Sequence, residues 1–142
     1  MIVDWIQVEG STENQSALSQ FEVSFLSNCD LSLGDAAHDC LRAVIERFGR
    51  LAWRRPLDAS EVDRLWTLAS AEFDQTDGLR VGLRQVVHAI LLSPFFIYRV
   101  EASRAPGEPL SGYERATRLA MFLWRSSPTE SLLDIAADGG LE

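Results

Sequence analysis

Residues 54–61, Arg-Arg-Pro-Leu-Asp-Ala-Ser-Glu, decide the fold, because one helix ends and another begins inside them. Upstream, apolar residues keep helical spacing over 36–53, with Asp35 as the expected N-cap. The two arginines lie where cations favour a helix C-terminus, and the proline stops the helix. Asp58 and Glu61 then form a capping-box pattern that starts a second helix. The stretch therefore predicts two helices joined by a short turn.

A third helix is expected after Asp77, which is placed to act as its N-cap. Apolar residues recur at helical spacing over 79–91. Ser93 and Pro94 then form an N-cap and N1 pair, which predicts a short helical continuation over 95–101 after a kink. With short connections, the first three helices are expected to form an antiparallel bundle.

Two further helix starts lie near the end of the chain. Ser111 to Glu114 repeats the capping-box pattern and opens a helix to about Arg125. Residues 127–130, Ser-Pro-Thr-Glu, open the last helix, which Gly139-Gly140 closes. We therefore predict an all-α fold of four or five helices. Its expected core contains nine apolar residues: Leu41, Ile45, Phe48, Leu65, Trp66, Phe73, Leu83, Val87 and Leu91.

The beginning of the chain has a different character. Residues 1–8 alternate imperfectly and are rich in β-branched and aromatic side chains, which indicates one β-strand. One strand cannot bury its own face, so it reads as a remnant of a larger sheet. Residues 11–20 are a polar linker, and 21–26 are expected to form a second short strand.

Composition excludes several classes of function. The 142-residue chain carries a net charge of −8, and no basic stripe offers a site for nucleic acid. All thirteen of its basic residues are arginine. No apolar run approaches the roughly 20 residues of a membrane span. No signal peptide opens the chain, because Asp4 directly follows the first three residues; taken alone, this favours a cytoplasmic protein.

No metal or haem pattern is present. Neither cysteine lies in the haem-attachment spacing, and no zinc spacing forms. His38 is expected to be exposed in the first turn of its helix, and His88 to lie at the edge of a packed core. Cys29 and Cys40 are either two buried free thiols or a local disulfide.

Two pairs of charged residues are candidates for chemistry. Glu101 and Glu114 are the acids that acid–base catalysis would use if they converged in a cleft; the alternative is a structural ion pair with Arg55, Arg99 or Arg118. Arg54 and Arg55 are candidates for binding an anion through bidentate contacts. Their alternative role is to pair with acids of the neighbouring helix and to cap carbonyl groups.

Several sequence blocks carry a resemblance to a known family. The blocks are 52–57, 91–101, 110–114 and 122–124, and they occur in the same order in modular exported proteins of planctomycetes and myxobacteria. The chain resembles planctomycete-specific domain five followed by the start of domain four, both of unknown function. One departure is Phe95, where the family often has histidine, so a metal or haem role does not carry over to this position.

The resemblance implies an organisation for the whole chain. Residues 1–28 would be the last strand of a preceding β-sandwich plus linker, 29–101 a helical domain, 102–110 a linker, and 111–142 a truncated next domain. It also implies an extracytoplasmic parent whose signal peptide is absent from this chain, and a Cys29–Cys40 disulfide, since oxidising compartments favour disulfides. Haem would belong only to missing parent domains, so no cofactor is expected here.

The function that follows is a non-catalytic helical scaffold or docking module of an exported protein associated with c-type cytochromes. Its partners would be adjacent domains of the parent or a second copy of the chain, with no nucleic acid and no membrane span. The alternative is a fragment of a polysaccharide-active or redox enzyme that uses Glu101 and Glu114 and is completed by missing domains. The expected docking residues are aromatic: Phe95, Phe96, Tyr98, Phe122 and Trp124.

Overall fold

The computed structural model describes residues 35–73, 78–99, 101 and 108–141, and these residues are helical with short connections. No strand occurs among them, so the all-α prediction is confirmed for this part of the chain. The strands expected over 1–8 and 21–26, and the cap expected at Asp77, lie outside it. The helices are α1 (Asp35–Trp53), α2 (Ala59–Ser70), α3 (Gly78–Leu91), α4 (Pro94–Ile97), α5 (Gly112–Trp124) and α6 (Glu130–Ala137).

Three helices, α2, α4 and α5, begin where local signals predict them. At α2, an Asp58 carboxylate oxygen accepts from the Glu61 N–H at 2.8 Å, and a Glu61 oxygen accepts from the Asp58 N–H at 2.9 Å. Ser111 and Glu114 make the same reciprocal pair at α5. Both capping boxes are therefore confirmed. So is the Ser93 cap of α4, although that helix ends at Ile97.

The last helix begins differently from its prediction. Thr129, and not Ser127, is the N-cap of α6, since its hydroxyl accepts from the Leu132 N–H at 3.4 Å. Pro128 is buried, so the turn into the helix comes after it. The closing glycines are as predicted: Gly139 has a φ of 76°, and the Gly140 N–H donates to the Ile135 carbonyl at 2.9 Å.

Helices α1, α2 and α3 share one apolar core, while their antiparallel order stays a prediction. Of the nine predicted core residues, four are buried (Leu41, Ile45, Leu65 and Leu83), and Phe48, Trp66, Phe73 and Val87 pack against the core half-buried. On α3, Leu83 and Val87 contribute to the core as predicted, whereas Leu91 does not belong to it. Val86 and Ile90, which lie in the same predicted apolar stripe over 79–91, are buried instead.

Small residues let two pairs of helices approach closely. A Cβ atom added to Gly82 of α3 would lie 2.5 Å from the Ala69 carbonyl oxygen of α2. One added to Gly112 of α5 would lie 2.8 Å from the Ala136 carbonyl oxygen of α6. Side chains larger than hydrogen at these two glycines would force the backbones apart. Ala116 and Ala120 of α5 are fully buried as well.

Ion pairs join α6 to α1. Arg47 Nε lies 2.7 Å from a Glu130 oxygen, and Arg50 Nη2 lies 2.7 Å from Asp134 Oδ1. The spacing along α1 favours a pair between Arg50 and Glu46, but Arg50 instead turns toward α6. None of the described helices is long and apolar enough to cross a bilayer.

Candidate functional site

The Arg-Arg turn after α1 is the centre of the candidate site. Arg54 has a φ of 59°, in the left-handed region, and directly follows the last residue of α1. Its side chain is buried, and Nη2 donates to the carbonyl oxygens of Phe95 at 2.7 Å and Tyr98 at 3.0 Å. These carbonyls lie at the C-terminal end of α4, where helix carbonyls lack partners in their own helix. Arg54 therefore fixes α4 against the end of α1.

Burial has an electrostatic effect on this arginine. Burial lowers the pKa of Arg54, and the charge of nearby Arg99 lowers it further. An arginine nevertheless keeps its proton in proteins, because its ordinary pKa lies far above neutral pH. A permanent cation thus lies beneath α4 and donates hydrogen bonds to neutral carbonyl groups.

Arg55 is held by a carboxylate and by aromatic rings. Its guanidinium makes a bidentate pair with Glu61, with N–O distances of 2.7 and 2.9 Å. Its Cζ lies 4.6 Å from the Phe95 ring centroid and 5.5 Å from that of Trp53, which are cation–π distances. The hydrogen bond to Glu61 raises the pKa of Arg55, and Arg55 in turn lowers the pKa of Glu61. Both arginines thus have the roles of the structural alternative: Arg55 pairs with an acid of the next helix, and Arg54 caps carbonyls.

Trp53 and Phe95 form the apolar part of the same site. Their ring centroids lie 5.2 Å apart with an interplanar angle of 49°. The indole Nε1–H donates to the Ile90 carbonyl at 3.2 Å, which ties the end of α1 to the end of α3. The sequence block at 53–57 therefore contacts the block at 93–98, and the two build one surface.

A cleft of about 300 Å³ opens beside this surface. One wall comes from the ends of α1 and α4, and the other from the first turns of α5. Both predicted acids, Glu101 and Glu114, line it, so the fold brings them to one cleft. The lining residues are Trp53, Arg54, Arg55, Phe95, Arg99, Glu101, Ser111, Tyr113, Glu114 and Thr117.

Each of the two acids already has strong hydrogen-bond donors. Glu101 accepts two bonds from Arg118 at 2.8 Å, which lower its pKa. Glu114 accepts from the N–H and the hydroxyl of Ser111, at 2.7 and 2.8 Å, as the capping residue of α5. The expected ion pair of Glu101 with Arg118 is thus present. A general acid at neutral pH needs a raised pKa, and Glu101 has the opposite shift.

The expected docking residues are exposed to different degrees. Phe122 is the most exposed at 83%, and Phe95 the least at 37%, with Phe96, Tyr98 and Trp124 between them. Phe95 forms the wall of the cleft. The aromatic pattern missed aliphatic neighbours that are also exposed: Leu92, Ile97, Leu119 and Leu123. Their place in helical periodicity looks like that of core residues, so the sequence offered no signal for their exposure.

The two histidines differ from their predictions. His38 is half-buried, because its ring stacks on Phe73 at 5.0 Å and meets the edge of Trp66 at 5.6 Å. His88 is exposed. In the part of the chain that the structure describes, no group of three or more His, Cys, Asp or Glu residues could hold a metal ion. Cys29 lies outside that part, so its pairing with Cys40 stays a prediction.

A comparison with protein families finds one match in this chain. The family model described as a protein of unknown function (PSD5, DUF1595) matches residues 40–101. The matched range runs from the second turn of α1 through α4 and includes the Arg-Arg turn. No curated protein and no solved structure matches the chain.

Proposed function

We propose that this chain is a non-catalytic helical docking module, and that its exposed apolar residues bind an adjacent domain of a larger protein. The observation that carries the proposal is the exposure of Phe122 (83%) at the end of α5. On the same helix, Ala116 and Ala120 are fully buried. Large apolar side chains grouped on a surface are typical of protein–protein contacts.

Helix α5 is apolar over a wider arc than α6 covers. Ala116 and Ala120 are fully buried, yet Leu119, Phe122 and Leu123, which adjoin this stripe in the helical projection, are exposed. A surface helix of a globular domain keeps one apolar stripe, whereas a helix with a broader apolar surface is buried on more than one side. The uncovered part of α5 is therefore suited to a second apolar partner.

Helix α4 adds a second exposed apolar run. Leu92 and Ile97 are exposed beside Phe96 and Tyr98. Because Arg54 binds the carbonyl groups at the end of this helix, its backbone is held in place before any partner arrives. A rigid surface loses less conformational entropy on binding, which favours a docking role for this run.

The ion pairs in the cleft support a non-catalytic role. Glu101 is paired with Arg118 and Glu114 caps α5, so neither carboxylate is arranged as a general acid. The alternative enzyme, polysaccharide-active or redox, has one supporting observation, the shared cleft of the two acids. It would need other domains to displace these partners.

The wider setting is also a proposal. The sequence blocks that resemble exported, cytochrome-associated proteins support an extracytoplasmic parent with a Cys29–Cys40 disulfide. Thiol titration of the unfolded, unreduced protein tests this setting independently of docking. We expect no reactive thiol, and two reactive thiols would refute the bridge.

Docking is tested by the double substitution Phe122→Ser and Trp124→Ser in the 142-residue chain. We expect the free energy of unfolding to change by less than about 0.5 kcal/mol per site, as for surface positions. Fluorescence of the apolar dye ANS should fall, because the double variant exposes less apolar surface. As the matched control, Leu133→Ala, at a fully buried position of α6, should lose about 2–5 kcal/mol.

The docking proposal is contradicted if the double variant loses as much free energy of unfolding as the Leu133→Ala control. It would show that these aromatic residues pack within the chain. Unchanged dye binding would count against it equally.

A further inference from the structure

We propose that the cleft beside the Arg-Arg turn binds a small organic anion with a flat apolar ring, and that Arg99 is the cation that contacts its acid group. The cleft measures about 300 Å³, at the lower end of the range for small-molecule sites. It lies between two groups of helices, a common position for such sites. This inference goes beyond docking and does not depend on it.

The charge of the lining is opposite in sign to that of the chain. Three arginines and two glutamates line the cleft, which gives a net charge of +1 in a chain of −8. Two of these charges are neutralised by partners outside the lining, since Glu61 pairs with Arg55 and Arg118 pairs with Glu101. The charges that remain are those of Arg54, Arg99 and Glu114, a net charge of +1, so the lining favours an anion.

Of the two arginines, Arg99 is the one placed to reach a ligand. Arg54 is buried, and its Nη2 donates to carbonyl groups of α4. Arg99 is half exposed, and its Nε lies 3.8 Å from a Glu101 oxygen. That distance is longer than a hydrogen bond. A carboxylate or phosphate can therefore take bidentate bonds from Arg99 without displacing a buried partner.

The aromatic wall selects for a ring. Trp53, Phe95 and Tyr113 line the cleft, and Arg55 already lies over the Phe95 ring. Aromatic side chains pair with flat ligands by offset stacking or edge contacts, which a bare inorganic anion cannot make. An inorganic anion would leave this wall in contact with water. A ring that carries an acid group uses both features of the cleft.

The test is ligand-observed NMR and calorimetry on the 142-residue chain with five probes. Benzoate and phenyl phosphate carry the ring and the charge, benzyl alcohol the ring alone, inorganic phosphate the charge alone, and benzylamine a ring with the opposite charge. We expect the two aromatic anions to bind saturably and about tenfold tighter than benzyl alcohol. Benzylamine and inorganic phosphate should bind more weakly still.

Two substitutions locate the contacts. Arg99→Gln should weaken benzoate about tenfold and leave benzyl alcohol unchanged, whereas Phe95→Leu should weaken both. Arg84→Gln is the matched control, because it removes the same charge from an exposed position on α3 outside the cleft. The proposal is overturned if the aromatic anions fail to bind saturably. It is also overturned if Arg84→Gln weakens benzoate as much as Arg99→Gln, since binding would then follow net charge.

Discussion

Arg54 joins an unfavourable backbone conformation to a favourable set of side-chain bonds. A left-handed φ costs a residue with a side chain about 1–2 kcal/mol, which is why glycine is usual just after a helix. Here the buried guanidinium offsets that cost, because it donates to carbonyl groups of Phe95 and Tyr98. Arg125, at the end of α5, has a similar φ of 54° but is exposed.

The two arginines should therefore respond to glycine in opposite directions. Arg54→Gly relieves the backbone but loses the bonds of a charged donor, so we expect a net loss of about 1–3 kcal/mol in the free energy of unfolding. Arg125→Gly loses no buried bond and should gain about 0.5–1 kcal/mol. Urea denaturation measures both. A gain at both positions would show that the bonds of Arg54 contribute little.

Glu61 provides a prediction for pH. Arg55 lowers the pKa of Glu61 in the folded protein, so the unfolded state binds this proton more tightly. The resulting stabilisation is present above about pH 4.3, the ordinary pKa of a glutamate, and is lost as the pH falls through the lowered value. Glu61→Gln should therefore reduce the free energy of unfolding by about 1–2 kcal/mol at pH 7 and by less at pH 3.

Its control is Glu46→Gln, an exposed position on α1 that loses the same charge. Urea curves for the three proteins at both pH values give the comparison. The Glu46 variant should stay within about 0.5 kcal/mol of the wild type throughout. If the difference in free energy of unfolding between wild type and Glu61→Gln is the same at pH 7 and pH 3, the stabilisation does not come from the ion pair with Arg55.

At the scale of the helices, close approach between α2 and α3 depends on Gly82. Alanine favours helix by about 1 kcal/mol over glycine, but the new methyl group would lie 2.5 Å from a backbone oxygen of Ala69. The backbone cannot yield as a side chain does, so we expect Gly82→Ala to lose about 1–3 kcal/mol.

Gly49→Ala on α1 is the matched substitution, because its close neighbours are the terminal methyl groups of Leu57. A flexible side chain can move aside, so the change should be near neutral when measured by thermal or urea unfolding. Equal effects at Gly49 and Gly82 would mean that the distance between α2 and α3 is adjustable.

The sequence predicted those elements whose signals are local. Capping boxes at Asp58 and Ser111 involve residues three positions apart, so their presence in the chain is sufficient to place α2 and α5. On α3 the sequence predicted an apolar stripe over 79–91 but not which of its members are fully buried, because Val86 and Val87 are equally apolar. His38 was misplaced because its stacking partner Phe73 is distant in sequence, in the turn after α2.

For the candidate site, the sequence identified residues but not their geometry. Arg54, Arg55, Glu101 and Glu114 were singled out, and all four line one cleft. The acceptors of Arg54 are backbone carbonyls 41–44 positions away, which no side-chain pattern can reveal. The sequence named Arg99 only as a possible partner of an acid. Whether Arg99 can contact a ligand depends on the pairing of Arg118 with Glu101, which only the fold shows.

At the scale of the whole molecule, the pair formed by α5 and α6 is attached to the rest by exposed ion pairs. Arg47 with Glu130 and Arg50 with Asp134 bridge α1 and α6, and Arg118 reaches Glu101. Exposed pairs are screened by salt, with a Debye length of about 10 Å at 0.1 M and about 3 Å at 1 M. The core of α1, α2 and α3 is apolar and is not weakened in this way.

Raising sodium chloride from about 0.05 to about 1 M should therefore loosen one group of helices selectively. We expect faster hydrogen exchange at amides of α5 and α6, with little change in α1, α2 and α3. The double substitution Arg47→Gln and Arg50→Gln should produce the same pattern at low salt. Exchange that rises equally in all helices would show that the molecule responds to salt as one unit.

The buried bonds of Arg54 also bear on the order in which the chain folds. A helix of four residues is far too short to be stable alone, because nucleation costs more than its few hydrogen bonds return. The acceptors on α4 meet Arg54 only after a loop of about forty residues has closed, and that loop contains α2 and α3. Helix α4 is thus expected to become ordered after α1, α2 and α3 have assembled, and to open before any of these three helices does.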